Sequence, residues 1–192
     1  MKTFSGLGVS AGIGQAPALL VEPAPGLPAR DPKGDTDDDV ARVTAALSKV
    51  ADRLDARALE ADPSAIGVLM ATAMMARDPG LTSSVRTHLE EGDGPAHALW
   101  GAIDDFCAQL TAAGGYLAER VTDLHNVRDR ALAVLQGLPE PGVPAFDSPV
   151  ILVAEDLAPA DTATLDPELV RGLVTAAGGP VSYTHLTLPT TP

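Results

Sequence analysis

The sequence predicts an α/β domain interrupted by an inserted all-α block. β-type apolar runs lie near both ends of the chain, and between them apolar residues recur at helical spacing. Two proline- and glycine-rich crossings bracket the helical stretch, residues 22–34 (EPAPGLPARDPKG) and 137–149 (GLPEPGVPAFDSP). Neither can be the interior of an element, because proline lacks a donor and glycine favours turns. The implied segments are 1–24 and 146–179 for the α/β part and 30–138 for the insertion.

Residues 3–21 (TFSGLGVSAGIGQAPALLV) alternate short β-type runs with glycines, which predicts two short strands and a turn. Val40, Val43, Leu47, Val50 and Leu54 then form one stripe of a helix, with Asp35 or Thr36 as its cap and acids in its first turn. Asp62-Pro63 opens a second helix with Ile66, Leu69, Met70, Ala73 and Met74 as its apolar face. Asp78-Pro79 opens a short one through Leu81, Val85 and Leu89, ended by Gly92-Asp93-Gly94-Pro95. Leu99, Ile103, Phe106, Cys107 and Leu110 mark a third long helix. After Gly114-Gly115, a fourth follows through Leu117, Val121, Leu124, Ala131 and Leu135. Four long helices on short connections predict an antiparallel bundle. Beyond it Val150-Ile151-Leu152-Val153 reads as a strand buried on both faces, Asp161–Leu165 as a short helix and Val170–Val174 as another strand.

Composition narrows the function. The chain is 45% hydrophobic with 3% aromatics, the profile of an alanine-rich globular protein rather than a disordered one. A net charge of −13 argues against nucleic acid, whose phosphates need Lys and Arg, and favours a basic protein partner. The lone Cys107 cannot form an internal disulfide, and the start lacks a signal-peptide pattern, so a reduced cytoplasmic location is expected. No apolar run approaches the ~18 residues of a membrane span. No CxxC, HExxH or Asp-rich calcium loop is present.

Four segments go further. GLGVSAGIGQAPALLV (6–21), ATAMMARDPGL (71–81), YLAERVTDLHNVRDRALAVLQG (116–137) and PVILVAEDLAPADTATLD (149–166) resemble Enzyme I of the bacterial phosphotransferase system, the phosphoenolpyruvate–protein phosphotransferases. The resemblance covers residues 4–179 in order, and the YLAER…DLHNVRDR and DLAPADTATLD blocks are specific to it. It implies an α/β phosphohistidine (swivelling) domain, incomplete here, with an inserted four-helix domain that binds the phosphocarrier protein HPr. It also implies that phosphoenolpyruvate, magnesium and homodimer formation belong to a carboxy-terminal barrel outside these residues, so no cofactor is expected in this chain. A different phosphohistidine enzyme, such as a pyruvate phosphate dikinase or phosphoenolpyruvate synthase, shares the glycine–histidine turn but not the insertion with YLAER. An HPr-docking module without transfer activity is the alternative from another class.

The family mounts its phosphorylated histidine after a strand and a glycine turn, in a pattern like GG-x-T-S-H. Imidazole suits such a relay because its neutral nitrogen is nucleophilic near pH 7. Here Gly178-Gly179 matches the turn and Ser182 the serine, but Tyr183 occupies the histidine position and His185 lies two residues late. In an extended segment that displaces the side chain by roughly 6–7 Å, enough to lose a near-attack geometry. His185 is therefore expected to be a decoy. VSYTHLTLPT (181–190) back-translates into what looks like a sequencing-library transposase adapter, and residues 181–192, with Pro180 at the junction, are expected to be non-native.

Residue by residue, Thr162 matches a threonine that can hydrogen-bond the active histidine, against the plainer reading of a helix cap. Arg120 matches an arginine near the phosphotransfer interface, against a solvated helix-face charge. Met75, Asp78, Leu81, Tyr116 and Arg120 match the partner-contacting stretches, while Met74 is expected in the core. Two departures bear on the partner: Thr72 stands where a histidine is common, and Arg77-Asp78-Pro79-Gly80 is less acidic than usual. His125 and Arg128 are expected to be structural, and His88 and His97 to be exposed helix residues.

Overall fold

The computed structural model describes residues 6–8, 13–21, 23–61, 63–118, 120–144, 146–155, 157, 161, 165–166 and 168–176. The chain divides into two compact units. One comprises Met1–Glu22, Val143–Leu157 and Leu165–Pro192, the other Pro23–Gly142 and Ala158–Thr164.

The second unit is helical: α1 (Thr36–Glu60), α2 (Pro63–Ala76), α3 (Pro79–Glu91), α4 (Pro95–Ala113), the single turn α5 (Gly115–Ala118) and α6 (Val121–Gln136). Helix α1 forms because its valine–leucine stripe has one dry face and its start is well capped. Asp35 accepts from the amides of Asp37 and Asp38, and Asp37, Asp38 and Asp39 complement the positive end of the helix dipole. Helix α3 begins at the Asp78 cap, with Pro79 pre-set for the first turn. Helix α4 has only Gly94 at its N-cap, and the cap comes from elsewhere in the chain. The Asp31 carboxylate, carried by the first proline-rich crossing, accepts from the His97 amide at 2.8 Å and lies 3.0 Å from His97 Nδ1. Only glycine fits at position 94, because an added Cβ would sit 2.0 Å from the Asp31 carbonyl oxygen. The break between α4 and α5 uses positive φ at both Gly114 and Gly115.

Helix α1 packs against α2, α3, α4 and α6, and α4 against α3, α5 and α6. Their facing stripes, from Val43, Leu47 and Leu54 through Leu69, Leu81, Leu89, Leu99 and Ile103 to Leu124, Val127 and Leu132, form one buried cluster.

The first unit is a three-stranded parallel sheet, β1 (Ala18–Leu20), β2 (Val150–Ala154) and β3 (Val170–Thr175), in the order β1-β2-β3. Leu19 pairs with Leu152 and Leu152 with Leu173. Central β2 buries Val150, Leu152 and Ala154, but Ile151 and Val153 on its other face are only half-buried, so the strand is not covered equally on both sides as expected. Of the two strands expected over 3–21, β1 is one; Ile13 makes a single bridge, and residues 1–5 and 9–12 lie outside the described residues. In the stretch read as a short helix only Asp161 and Leu165 are described. Asp161 groups with the helical unit, and Leu165 with the sheet unit.

Candidate functional site

Helix α2 is apolar nearly all round, so its sequence does not fix which face turns inward. In the structure Leu69, Thr72, Ala73 and Ala76 form the buried stripe, and Thr72 Oγ1 donates back to the Val68 carbonyl at 2.9 Å. The opposite stripe faces water, with Met70 51% and Met74 72% exposed. This corrects the expectation for the methionines: Met74 is the outward one, and Met75 is half-buried against the helical core. Helix α1 contributes a second outward stripe in which Asp52 and Asp55 lead to Leu59, itself 89% exposed. Arg77, at the end of α2, joins the two helices with Nη2 2.7 Å from Asp52 Oδ1 and 2.8 Å from Asp55 Oδ2. Those hydrogen bonds raise its pKa further above the ordinary arginine value.

Asp78 is exposed, and its carboxylate accepts from the Gly80 amide at 2.7 Å, which turns the chain from α2 into α3. Leu81, expected to touch a partner, is instead buried among α1, α3 and α4 side chains and offers no surface. The cause is its spacing with Val85 and Leu89, which makes it the first rung of the inward stripe of α3. Of Tyr116 only the backbone is described, within α5.

Arg120 lies at the N-cap of α6, with Nη1 3.0 Å from Asp123 Oδ2 among its contacts. It is mostly enclosed rather than a solvated helix-face charge, at 18% side-chain exposure. Burial pushes the Asp123 carboxyl up, and Arg120 pulls it partly back. Thr162, Gly178, Gly179, Tyr183 and His185 lie outside the described residues.

The other histidines are accounted for locally. The His88 ring is more enclosed than expected: it lies against Gly101, where an added Cβ would be 2.6 Å from it, and its Nε2 is 3.0 Å from Asp105 Oδ2. His125 is half-buried; desolvation first, then the Arg128 charge, holds its pKa below the ordinary value. Arg128 in turn stacks 3.8 Å over the Trp100 ring and donates to Asp129. Among the described residues no group of three His, Cys, Asp or Glu could hold a metal ion, and no helix is long and apolar enough to cross a membrane.

Sequence reasoning missed two things here. The outward methionine stripe of α2 has no polar opposite face to reveal it. The Asp31 cap acts across 66 residues, a separation no local pattern exposes.

Comparison with known proteins points one way. The family model described as PEP-utilising enzyme, N-terminal, matches residues 5–120, and that described as PEP-utilising enzyme, mobile domain, matches residues 146–187. A phosphoenolpyruvate-protein phosphotransferase of Streptomyces coelicolor is 44% identical over 190 residues, covering 96% of this chain and 34% of the relative. One from Lactococcus lactis subsp. lactis is 31% identical over 191 residues, covering 95% and 33%. The chain thus spans about a third of the length of these curated relatives. An NMR solution structure of an Enzyme I protein matches with a TM-score of 0.78 at 25% identity, covering 94% of this chain and 78% of that one. A solved N-terminal domain of Enzyme 1 - Nitrogen matches in fold, with a TM-score of 0.60 at 22% identity, covering 91% and 76%. With the amino-terminal family model matching more than half of its residues, the chain belongs to the PEP-utilising enzymes, in the Enzyme I branch of the phosphotransferase system.

Proposed function

We propose that this chain is the carrier-docking, amino-terminal part of a phosphoenolpyruvate–protein phosphotransferase, and that its helical unit takes up HPr on the outward face of α1 and α2. The observation that carries this reading is the exposed apolar stripe Met70–Met74, with Leu59 on the neighbouring helix and the carboxylates of Asp52, Asp55 and Asp78 close by in sequence on the same two helices and their exit. Unbranched, polarisable methionines adapt to a partner surface, and an acidic rim steers a basic one. Arg120, enclosed beside Asp123, is the cation this part offers to a phosphoryl group in transit, and Thr162 with Gly178-Gly179 marks where the phosphohistidine belongs.

Transfer itself is a separate matter. Phosphoryl transfer rests on positioning and charge stabilisation. Tyr183 is a poor substitute for histidine because a phenol with a pKa of about 10 is mostly protonated at neutral pH. The chain in hand is therefore read as a docking module that does not relay phosphate.

The test is a titration of the chain with HPr, followed by NMR. Shifts concentrated on α2 are expected, and Met74→Glu should weaken binding about tenfold or more, the loss of a central apolar contact, with its melting temperature nearly unchanged because the site is exposed. Equal affinity of Met74→Glu and the unaltered chain would sink the docking face. Incubation with phosphorylated HPr reads the other half: an acid-labile phosphate on His185 would show a working relay and overturn the docking-only reading.

A further inference from the structure

Three guanidinium groups and two carboxylates meet where the second half of α1 faces α6. Arg130, on α6, is fully buried and fully bonded. Its Nε donates to Asn126 Oδ1 at 2.8 Å, its Nη1 to Glu140 Oε1 and its Nη2 to Asp161 Oδ1. Arg53, on α1, donates from Nη1 to the other Glu140 oxygen at 2.7 Å. Arg57, one turn further along α1, is left over. Its nearest acidic oxygens are Glu140 Oε1 at 3.6 Å and Asp161 Oδ1 at 3.9 Å, and each of them already accepts from Arg130. Neither approach is a hydrogen bond.

Arg57 is thus a guanidinium with 29% of its side chain exposed, drawn into a cluster that, among the described residues, holds one more cation than it holds anions. Taking such a group out of water without an acceptor is unfavourable. Burial, with the neighbouring Arg130 charge next, accordingly pushes its pKa down. A bound anion would supply what this arrangement lacks. Arg53 and Arg57 stand at i and i+4 on the same face, and both reach toward the Glu140 carboxylate, Arg53 in contact and Arg57 short of it. Both Glu140 oxygens are already taken by Arg130 and Arg53, whereas a tetrahedral oxyanion brings further oxygens that can accept from Arg57 and Arg53 together.

We propose that Arg57, with Arg53 beside it, forms a binding site for a phosphate-class oxyanion on the helical unit. The proposal uses none of the docking residues of α2 and stands apart from the carrier-docking reading.

The experiment titrates the full chain with inorganic phosphate against chloride at equal ionic strength, following the Nε–Hε signals of Arg53 and Arg57 by NMR and the melting temperature in parallel. A saturable shift at both arginines is expected. A site half-filled at about 1 mM raises the melting temperature by roughly 3–5 °C at about 10 mM phosphate. Arg57→Gln should abolish that response while melting normally in chloride, and Arg86→Gln, which removes an exposed pairing with Asp37, should leave it intact. Should Arg57→Gln fail to fold, Arg57→Lys keeps the charge without the fork and should weaken the response several-fold. An undiminished response in the Arg57 variants, an unsaturable one, or an equal loss in Arg86→Gln overturns the site as general surface screening. Methyl phosphate serves as a second arm. Binding equal to inorganic phosphate assigns the site to phosphate esters, and weaker binding assigns it to free phosphate.

Discussion

Among the described residues, the helical unit and the sheet unit differ in how much apolar surface each removes from water. In the helical unit twenty-four buried apolar residues join in one cluster, which ties α1 to every other long helix. In the sheet unit the described residues form two small clusters, one around Val150, Leu152 and Val170 and one around Val21, Ala154 and Leu157. Leu20 and Val174, on the two outer strands, stay exposed at 67% and 54%. The proposed docking surface has to be held rigid, and a helical core of this size does that. With so little cover among the described residues, the three-stranded parallel sheet is expected to be the weaker of the two, since parallel sheets ordinarily bury both faces.

The strongest way to break this comparison is to delete the same side chain from each unit. Leu99, on α4, and Leu152, on β2, are both fully buried leucines. Leu99→Ala should cost about 2–5 kcal/mol and lower the main unfolding transition. Leu152→Ala should leave that transition within about 0.5 kcal/mol of its place while erasing hydrogen-exchange protection over β2 and β3. Even unaltered, the amides of Val150–Thr175 should exchange ahead of those of α1 and α4. If both substitutions shift one common transition by the same amount, the two units fold as a single body and the contrast fails.

What the sequence revealed follows the same divide between local and long-range causes. Helix α1 was legible because its dry stripe from Val40 to Leu54 has a polar opposite face, and Asp78-Pro79 announced α3 because capping is a matter of adjacent residues. The apolar run 150–153 reads as a strand for the same reason. Three features were not read correctly. The phase of α2 is hidden by its all-round apolarity, so Met74 is exposed and Met75 half-buried, the reverse of the burial expected. The inward turn of Leu81 was present in its spacing with Val85 and Leu89 but was overridden by a family match at one position. The pairing of Arg130 with Glu140 and Asp161 joins three parts of the chain that no spacing rule connects.

A smaller effect sharpens the comparison inside the helical unit. Asp78→Ala removes the side-chain cap at the entry to α3, the carboxylate that accepts from the Gly80 amide. It should cost about 0.5–2 kcal/mol. Because Asp78 follows α2 directly, the loss should appear as faster exchange at the α2–α3 junction with little change in α4 or α6. Uniform loosening of all the helices would mean that the junction is not locally set.

The smallest expected effect is a pH dependence that arises in the helical unit, at His125. Desolvation and Arg128 lower the His125 pKa in the folded chain, outweighing the opposing pull of Asp129 and Asp104. The unfolded chain then takes up its proton first, near the ordinary value of 6.5. Unfolding is favoured as pH falls through that value, and the loss grows until the folded pKa is reached, below which it is constant. Full stability from this group is therefore present above pH 6.5 and declines beneath it. Comparing the unaltered chain with His125→Gln across pH 7.5 to 5 isolates the contribution from the other histidines of the helical unit. The substituted chain should show a shallower decline, with exchange of the β2 and β3 amides showing no such difference. A decline of equal slope in both proteins would mean that the buried setting of His125 does not govern its proton.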